Sequence, residues 1–221
     1  MSSHLDLEEQ EQLDELKHFW KQYGNAITWI LILVMGSYAA WNGYQYWQKQ
    51  QSAKAAALFD EVERSVASGD SAKIERAWND MKERFPGTTF AAQSALLAAK
   101  TFQQNEKTDA AAAALKWAAE SASDEASAQL ARLRLANLQL QQKAYDDAAK
   151  TLSKSFSPAF AGLASDIQGD LFMAQSKTQD AIKSYTEAWS KLESNNEYRR
   201  LVTAKLNALG ADPESTKGAS K

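Results

Sequence analysis

Residues 26–41, AITWILILVMGSYAAW, carry no charged side chain, and only Thr28 and Ser37 are mildly polar. Such a run cannot sit in water without a cover, so it limits the chain to few architectures. Sixteen residues fall short of the roughly 20 that cross a hydrocarbon core. The flanks supply the rest. Trp20 and Tyr23 precede the run, Tyr44, Tyr46 and Trp47 follow it, and Trp29 and Trp41 lie within it. From Trp20 to Trp47, at about 1.5 Å per residue, is roughly 40 Å, the thickness of a bilayer with its interfaces. Lys17, Lys21 and Lys49 stand just outside these aromatic belts, where their ammonium groups reach water. The expectation is one transmembrane helix over 25–47, anchored by these seven aromatic residues in the lipid bilayer.

Two other origins of the run are weaker. A core helix of a water-soluble protein rarely carries isoleucine, leucine and tryptophan around its whole circumference. A cleaved signal peptide has support in Ser37-Tyr38-Ala39, a small-x-small site. The preceding segment, however, is long and acidic instead of short and basic, and aromatic residues continue past the cut. Charge bias does not orient the helix: Lys17 and Lys21 on one side face Lys49, Lys54 and Arg64 on the other.

Composition then removes function classes. The net charge is −3, and residues 1–25 hold six acids against Lys17 and Lys21, leaving the remainder nearly balanced. A balanced domain has no field to gather phosphates, which argues against nucleic-acid binding. Cysteine is absent, so disulfides, thiol nucleophiles and a lipoprotein anchor are excluded. The two histidines, His4 and His18, both precede the apolar run. A Ser-His-Asp triad, a His-ligated zinc site or a histidine base therefore cannot be built in the large domain.

After Gln48, alanine is abundant, proline is confined to Pro86, Pro158 and Pro213, and no stretch alternates with a period of two. The prediction is all-α. Breaks are expected at 68–70, 86–87, 105–108, 121–124, 143–144, 157–158, 176–178 and 194–196, with helices of 11–20 residues between them. The segment 48–67 should continue the membrane helix into solvent. Three helix starts superimpose: KTDAAAAALKWA, YDDAAKTLSKSF and TQDAIKSYTEAW, with Ala111/Leu115, Ala148/Leu152 and Ala181/Tyr185 in register. A weaker copy holds Ala77/Met81. The alanines lie 34, 37 and 33 residues apart, close to the 34 of a tetratricopeptide repeat. Twelve residues before the three strong alanines stand Ala99, Ala136 and Gly169, and three further on Phe102, Gln139 and Phe172. Small residues let paired helices approach, and bulky ones fill the space to the next pair.

The predicted organisation is an acidic amphipathic tail (1–24), the anchor (25–47), a tetratricopeptide-like α-solenoid of antiparallel helix pairs (48–209) and a disordered tail (210–221). Leu13, Leu16, Trp20 and Tyr23 recur at helical spacing in the first tail, which either lies on the membrane or extends the anchor helix. The last helix, with Leu201, Leu206 and Leu209, would cap the stack. Catalysis has no candidate residue, and no cofactor or metal motif appears. For binding, Arg132 with Arg134, and Arg199 with Arg200, are candidates for an acidic or C-terminal peptide group, against their ordinary role as solvated or ion-paired cations.

EQLDELKHFWKQYGN, the short anchor and WNGYQYWQKQQ resemble the start of the YfgM family, the ancillary SecYEG translocon subunits of Gram-negative bacteria. The resemblance is most specific over 10–51, at Leu16, Phe19, Trp20, Gly24, Gly43, Tyr46, Trp47 and Gln48, and extends more weakly to about 209. It implies an inner-membrane protein with a cytoplasmic N-terminus and a periplasmic tetratricopeptide-like domain. It further implies association with the SecYEG translocon and the periplasmic chaperone PpiD, contact with unfolded secretory proteins, and no catalytic residues. The competing role is a structural scaffold of an envelope or division complex acting through the same repeat surface. A carboxylate-only glycosidase needs no histidine, but it needs a deep cleft with two converging acids.

Overall fold

The structure, a computed structural model, describes residues 7–193 and 197–212. Among the described residues it is entirely helical. Two compact units are present, residues 1–51 and 52–221. Helix α1 (Leu7–Ser68) supplies the first unit and the opening of the second. It is followed by α2 (Ser71–Arg84), α3 (Thr89–Gln104), α4 (Thr108–Ser121), α5 (Glu125–Gln141), α6 (Tyr145–Leu152), α7 (Pro158–Ala174), α8 (Thr178–Lys191) and α9 (Tyr198–Ala208). The break expected at 194–196 and most of the tail expected to be disordered, 213–221, lie outside the described residues.

Helix starts follow local chemistry. Asp70 caps α2, its carboxylate accepting from the backbone N–H groups of Ala72 and Lys73 at 3.0 and 3.3 Å. These bonds, that from Lys73 foremost, hold the Asp70 carboxyl below the usual carboxylate range. Asp124 caps α5 through the N–H of Ser127 at 2.7 Å. Asp146, Asp147 and Asp180 lie in the first turns of α6 and α8, where the helix dipole favours negative charge. Helix α6 has 8 residues, shorter than expected. The Ser153 hydroxyl bonds back to the Lys150 carbonyl at 2.8 Å, and Pro158 opens α7, which disfavours helical geometry at Ser157.

The repeat is legible in the turns. Glu106, Lys143 and Ser176 all have φ of 60°. In each turn the next residue's N–H reaches back five positions: Lys107 to Phe102, Ala144 to Gln139, and Lys177 to Phe172, at 2.7, 2.8 and 2.8 Å. This is the Schellman closure of a helix. Gly69 (φ 68°) and Gly210 (φ 74°) occupy the same phase after α1 and α9. So the end of α1 with α2 forms a first pair, α3/α4, α5/α6 and α7/α8 follow, and α9 stands as the leading helix of a next one. Glutamate, lysine and serine are strained at positive φ, whereas glycine is not. Replacing Glu106, Lys143 and Ser176 together by glycine should raise stability by about 1–3 kcal/mol, read as a higher Tm of the detergent-solubilised protein. An unchanged or lower Tm would contradict the assignment.

Packing follows the predicted columns. Ala77, Ala111, Ala148 and Ala181 are buried with Met81, Leu115, Leu152 and Tyr185. Ala99, Ala136 and Gly169 are buried in the facing helices. Where Gln139 interrupts the aromatic column, its amide oxygen accepts from the Thr151 hydroxyl at 2.8 Å and joins α5 to α6. The end of α1 is embedded instead of running free: Ala55 and Leu58 join a core with Ile74, Trp78, Met81 and Phe102. Trp78 packs edge-on against Trp117, ring centroids 4.9 Å apart. At the far end α9 buries Val202 and Leu206 against α8. Leu201, expected in that cap, is instead 48% exposed, because Val202 takes the inward phase.

Candidate anchor and interaction surfaces

In the first unit the helix passes unbroken through Gly24, a natural weak point. The Trp20 indole lies over that glycine, so that a Cβ there would meet the ring at 3.2 Å. The Thr28 hydroxyl donates to the Gly24 carbonyl at 2.7 Å. Trp20, Tyr23, Trp29, Trp41, Tyr44, Tyr46 and Trp47 are all exposed, as are Ile30, Leu31, Ile32, Leu33, Val34 and Met35 between them. The most apolar 18-residue window has a mean hydropathy of 1.3, and 6% of it is buried. A core helix would be mostly covered, so this exposure fits a helix that lipid covers.

In the second unit the four arginines part company. Arg132 is 17% exposed in its side chain and is spent on internal contacts. Its Nη2 pairs with Glu125 at 3.1 Å. Its Nε and Nη1 donate to the carbonyls of Ala119 and Ser155, at 3.4 and 3.3 Å. It thereby ties the end of α4 and the α6–α7 loop to α5. Arg134, two positions on, is exposed; residues two apart on a helix do not face each other. The Arg199 guanidinium stacks 3.7 Å from the Trp189 ring centroid, and Arg200 is exposed. The structure therefore brings neither pair together on one face.

Two features escaped the sequence reading. The first is a groove of about 230 Å³ beside the C-terminal end of α6. Leu152, Phe156, Ala161 and Ala164 line it together with Lys154 and the ion pair of Lys191 with Glu187, 2.6 Å apart. It is smaller than the roughly 300–1,000 Å³ of a small-molecule site, and its mixed polar and apolar lining suits peptide side chains better than a cofactor. The second is an ionic clamp joining α7, α8 and α9. Lys205 Nζ sits 2.9 Å from both Asp166 oxygens and 2.7 and 2.9 Å from those of Asp170. Tyr198 donates to Asp166 at 2.6 Å, and Tyr185 donates to Asp170 at 2.7 Å. Asp166 is 1% exposed. The i,i+4 pair Asp166/Asp170 was visible in the sequence, but nothing local pointed to a lysine more than thirty residues on. Among the described residues no group of three or more histidines or carboxylates is placed to hold a metal ion.

Burial, and then the bond to Asp170, push the Tyr185 phenol up; burial and the bond to Asp166 do the same for Tyr198. With folded values above the unfolded value near 10, both groups leave stability intact below that pH. Above it, the unfolded chain gains by ionising first, and stability falls. Unfolding followed by circular dichroism should therefore weaken above about pH 10. The double variant Tyr185→Phe/Tyr198→Phe should show a shallower decline, and an identical slope would exclude these phenols as its source.

A family model described as a tetratricopeptide repeat-like domain matches residues 17–211. The ancillary SecYEG translocon subunit of Neisseria gonorrhoeae is 34% identical over 210 residues, which cover 95% of this chain and 100% of that protein. The chain belongs to the YfgM family. The subunits of the same name from Haemophilus influenzae and Escherichia coli are each 28% identical, over 206 and 207 residues. Those alignments cover 92% and 91% of this chain and 98% and 96% of the relatives. No solved structure matches it. The family match begins inside α1 and ends just after α9, so in the YfgM family anchor and stack belong to one shared design. In that company the exposed apolar stretch of α1 fits an inner-membrane anchor.

Proposed function

We propose that this chain is a non-enzymatic ancillary subunit of the SecYEG translocon, with a cytoplasmic N-terminus and a periplasmic helical stack. There the stack binds a periplasmic chaperone, PpiD, and assists the transfer of emerging secretory proteins. The observation that carries this reading is the end-to-end similarity to proteins of that name, anchor included. The chemistry agrees with it. The large domain has no histidine or cysteine, and a repeat stack offers extended surface for protein partners. The groove beside α6 sets Leu152, Phe156 and Ala164 among Lys154, Glu187 and Lys191, a mixed lining that suits short peptide segments carrying both apolar and charged side chains.

Two experiments test the reading. Protease added to spheroplasts should digest the stack and spare the N-terminal segment; survival of the stack would reverse the orientation. A photo-crosslinking side chain at Gln168, in the groove, should capture translocon subunits, PpiD or a secretory chain in intact membranes. Capture of cytoplasmic proteins alone would sink the proposal.

A further inference from the structure

At the start of the anchor, α1 carries a stripe whose outer part the membrane cannot cover. Leu13, Leu16, Phe19, Trp20 and Tyr23 share one face and are all exposed, Leu16 by 61%. If this segment lay along the bilayer surface, the helix would have to turn near Gly24. Instead it runs through, with Trp20 over the glycine and Thr28 bonded to its carbonyl. Trp20 marks the interface, and Leu13 is seven residues beyond it, roughly 10 Å further along the axis. Leu13 and Leu16 thus project past the headgroups, where only protein can bury them.

Charge selects the kind of protein. Glu8, Glu9, Glu11, Asp14 and Glu15 accompany the stripe, opposed by Lys17 and Lys21, and Lys17 is already paired with Asp14 at 3.0 Å. Anionic headgroups would repel such a segment. A second copy alongside in the same orientation would set acid against acid. The complement is a basic segment at the same depth, and cytoplasmic flanks of inner-membrane proteins are basic as a class.

We infer that residues 8–23 form a docking helix for a lysine- and arginine-rich cytoplasmic segment of the neighbouring membrane protein, the apolar stripe giving contact area and the acids selecting the partner. The inference rests on the proposed orientation and on the translocon as neighbour.

The test uses the full-length protein co-reconstituted with purified SecYEG in vesicles of phosphatidylethanolamine and phosphatidylglycerol. A photo-crosslinking side chain replaces Leu16, with His18 on the opposite face as control. Leu16 should crosslink to SecYEG on a segment rich in lysine and arginine, about tenfold above His18. Combining Glu8→Lys, Glu9→Lys, Glu11→Lys and Glu15→Lys should lower the Leu16 yield about tenfold, as should high salt. Those substitutions add cytoplasmic positive charge and so reinforce the orientation. Crosslinks to lipid alone, to a second copy alone, or to SecYEG but unmoved by charge reversal would overturn the inference. Co-purification of the unsubstituted chain with SecYEG is read in parallel. If it persists while Leu16 captures no basic segment, the docking helix alone fails; if it is absent, the translocon reading fails and takes the docking helix with it.

Discussion

Lys205→Met should loosen α9 from the stack and lower stability by about 3 kcal/mol, the scale expected when one partner of a buried ion pair is removed. The loss arises mainly at Asp166, which is 1% exposed and would keep the Tyr198 hydroxyl but lose the ammonium group. Asp170 contributes less, because its side chain is 38% exposed and water can replace the ammonium group. Adding Asp166→Asn to Lys205→Met should restore part of the loss, since the amide oxygen still accepts from Tyr198 and the charge left without Lys205, on Asp170, is open to water. Hydrogen exchange locates the effect. Amides of α9 and of the second half of α7 should lose protection, while those of α3 and α4 keep theirs. A Lys205→Met protein as stable as its parent, with α9 still protected, would show that the clamp adds nothing to the fold.

Gly169→Val should be at least as damaging, by about 3 kcal/mol, or roughly 6–12 °C in Tm. A Cβ at this position would overlap the ring of Tyr185, a neighbour on α8 that has nowhere to go. Its ring is 3% exposed and its hydroxyl is held by Asp170. Gly169→Ala makes the sharper sign test. In an open helix that change stabilises by about 1 kcal/mol, whereas here the overlap should make it destabilising. Combining Gly169→Ala with Tyr185→Leu should cost less than the sum of the two single changes, because the smaller side chain vacates the contested space. Strict additivity, or a stabilising Gly169→Ala, would mean that α7 and α8 do not approach as closely as the structure has them.

The features legible in the sequence are those set by neighbours along the chain. An uncharged run of 26–41 flanked by aromatic residues spells an anchor whatever surrounds it, because the cost of wetting it is local. Helix breaks follow from Gly69, Pro86 and Pro158, and starts from Asp70 and Asp124, because a cap is satisfied within three residues. The repeat could be read from Ala111, Ala148 and Ala181, since a close helix crossing admits only small side chains.

Tertiary structure decided everything that depends on distant partners. Arg132 and Arg134 look like a pair in the sequence, but the helix turns them apart and packing delivers Arg132 to three backbone and carboxylate partners. Glu106, Lys143 and Ser176 carry no sign of positive φ; the pairing of successive helices imposes it on them. Lys205 lies 35 and 39 residues from its two carboxylates, and no periodicity links positions so far apart. The anchor, then, was determined by the chain itself, since lipid needs only apolar surface. What holds the stack together was not, since ion pairs and close crossings exist only once folding has chosen which faces meet.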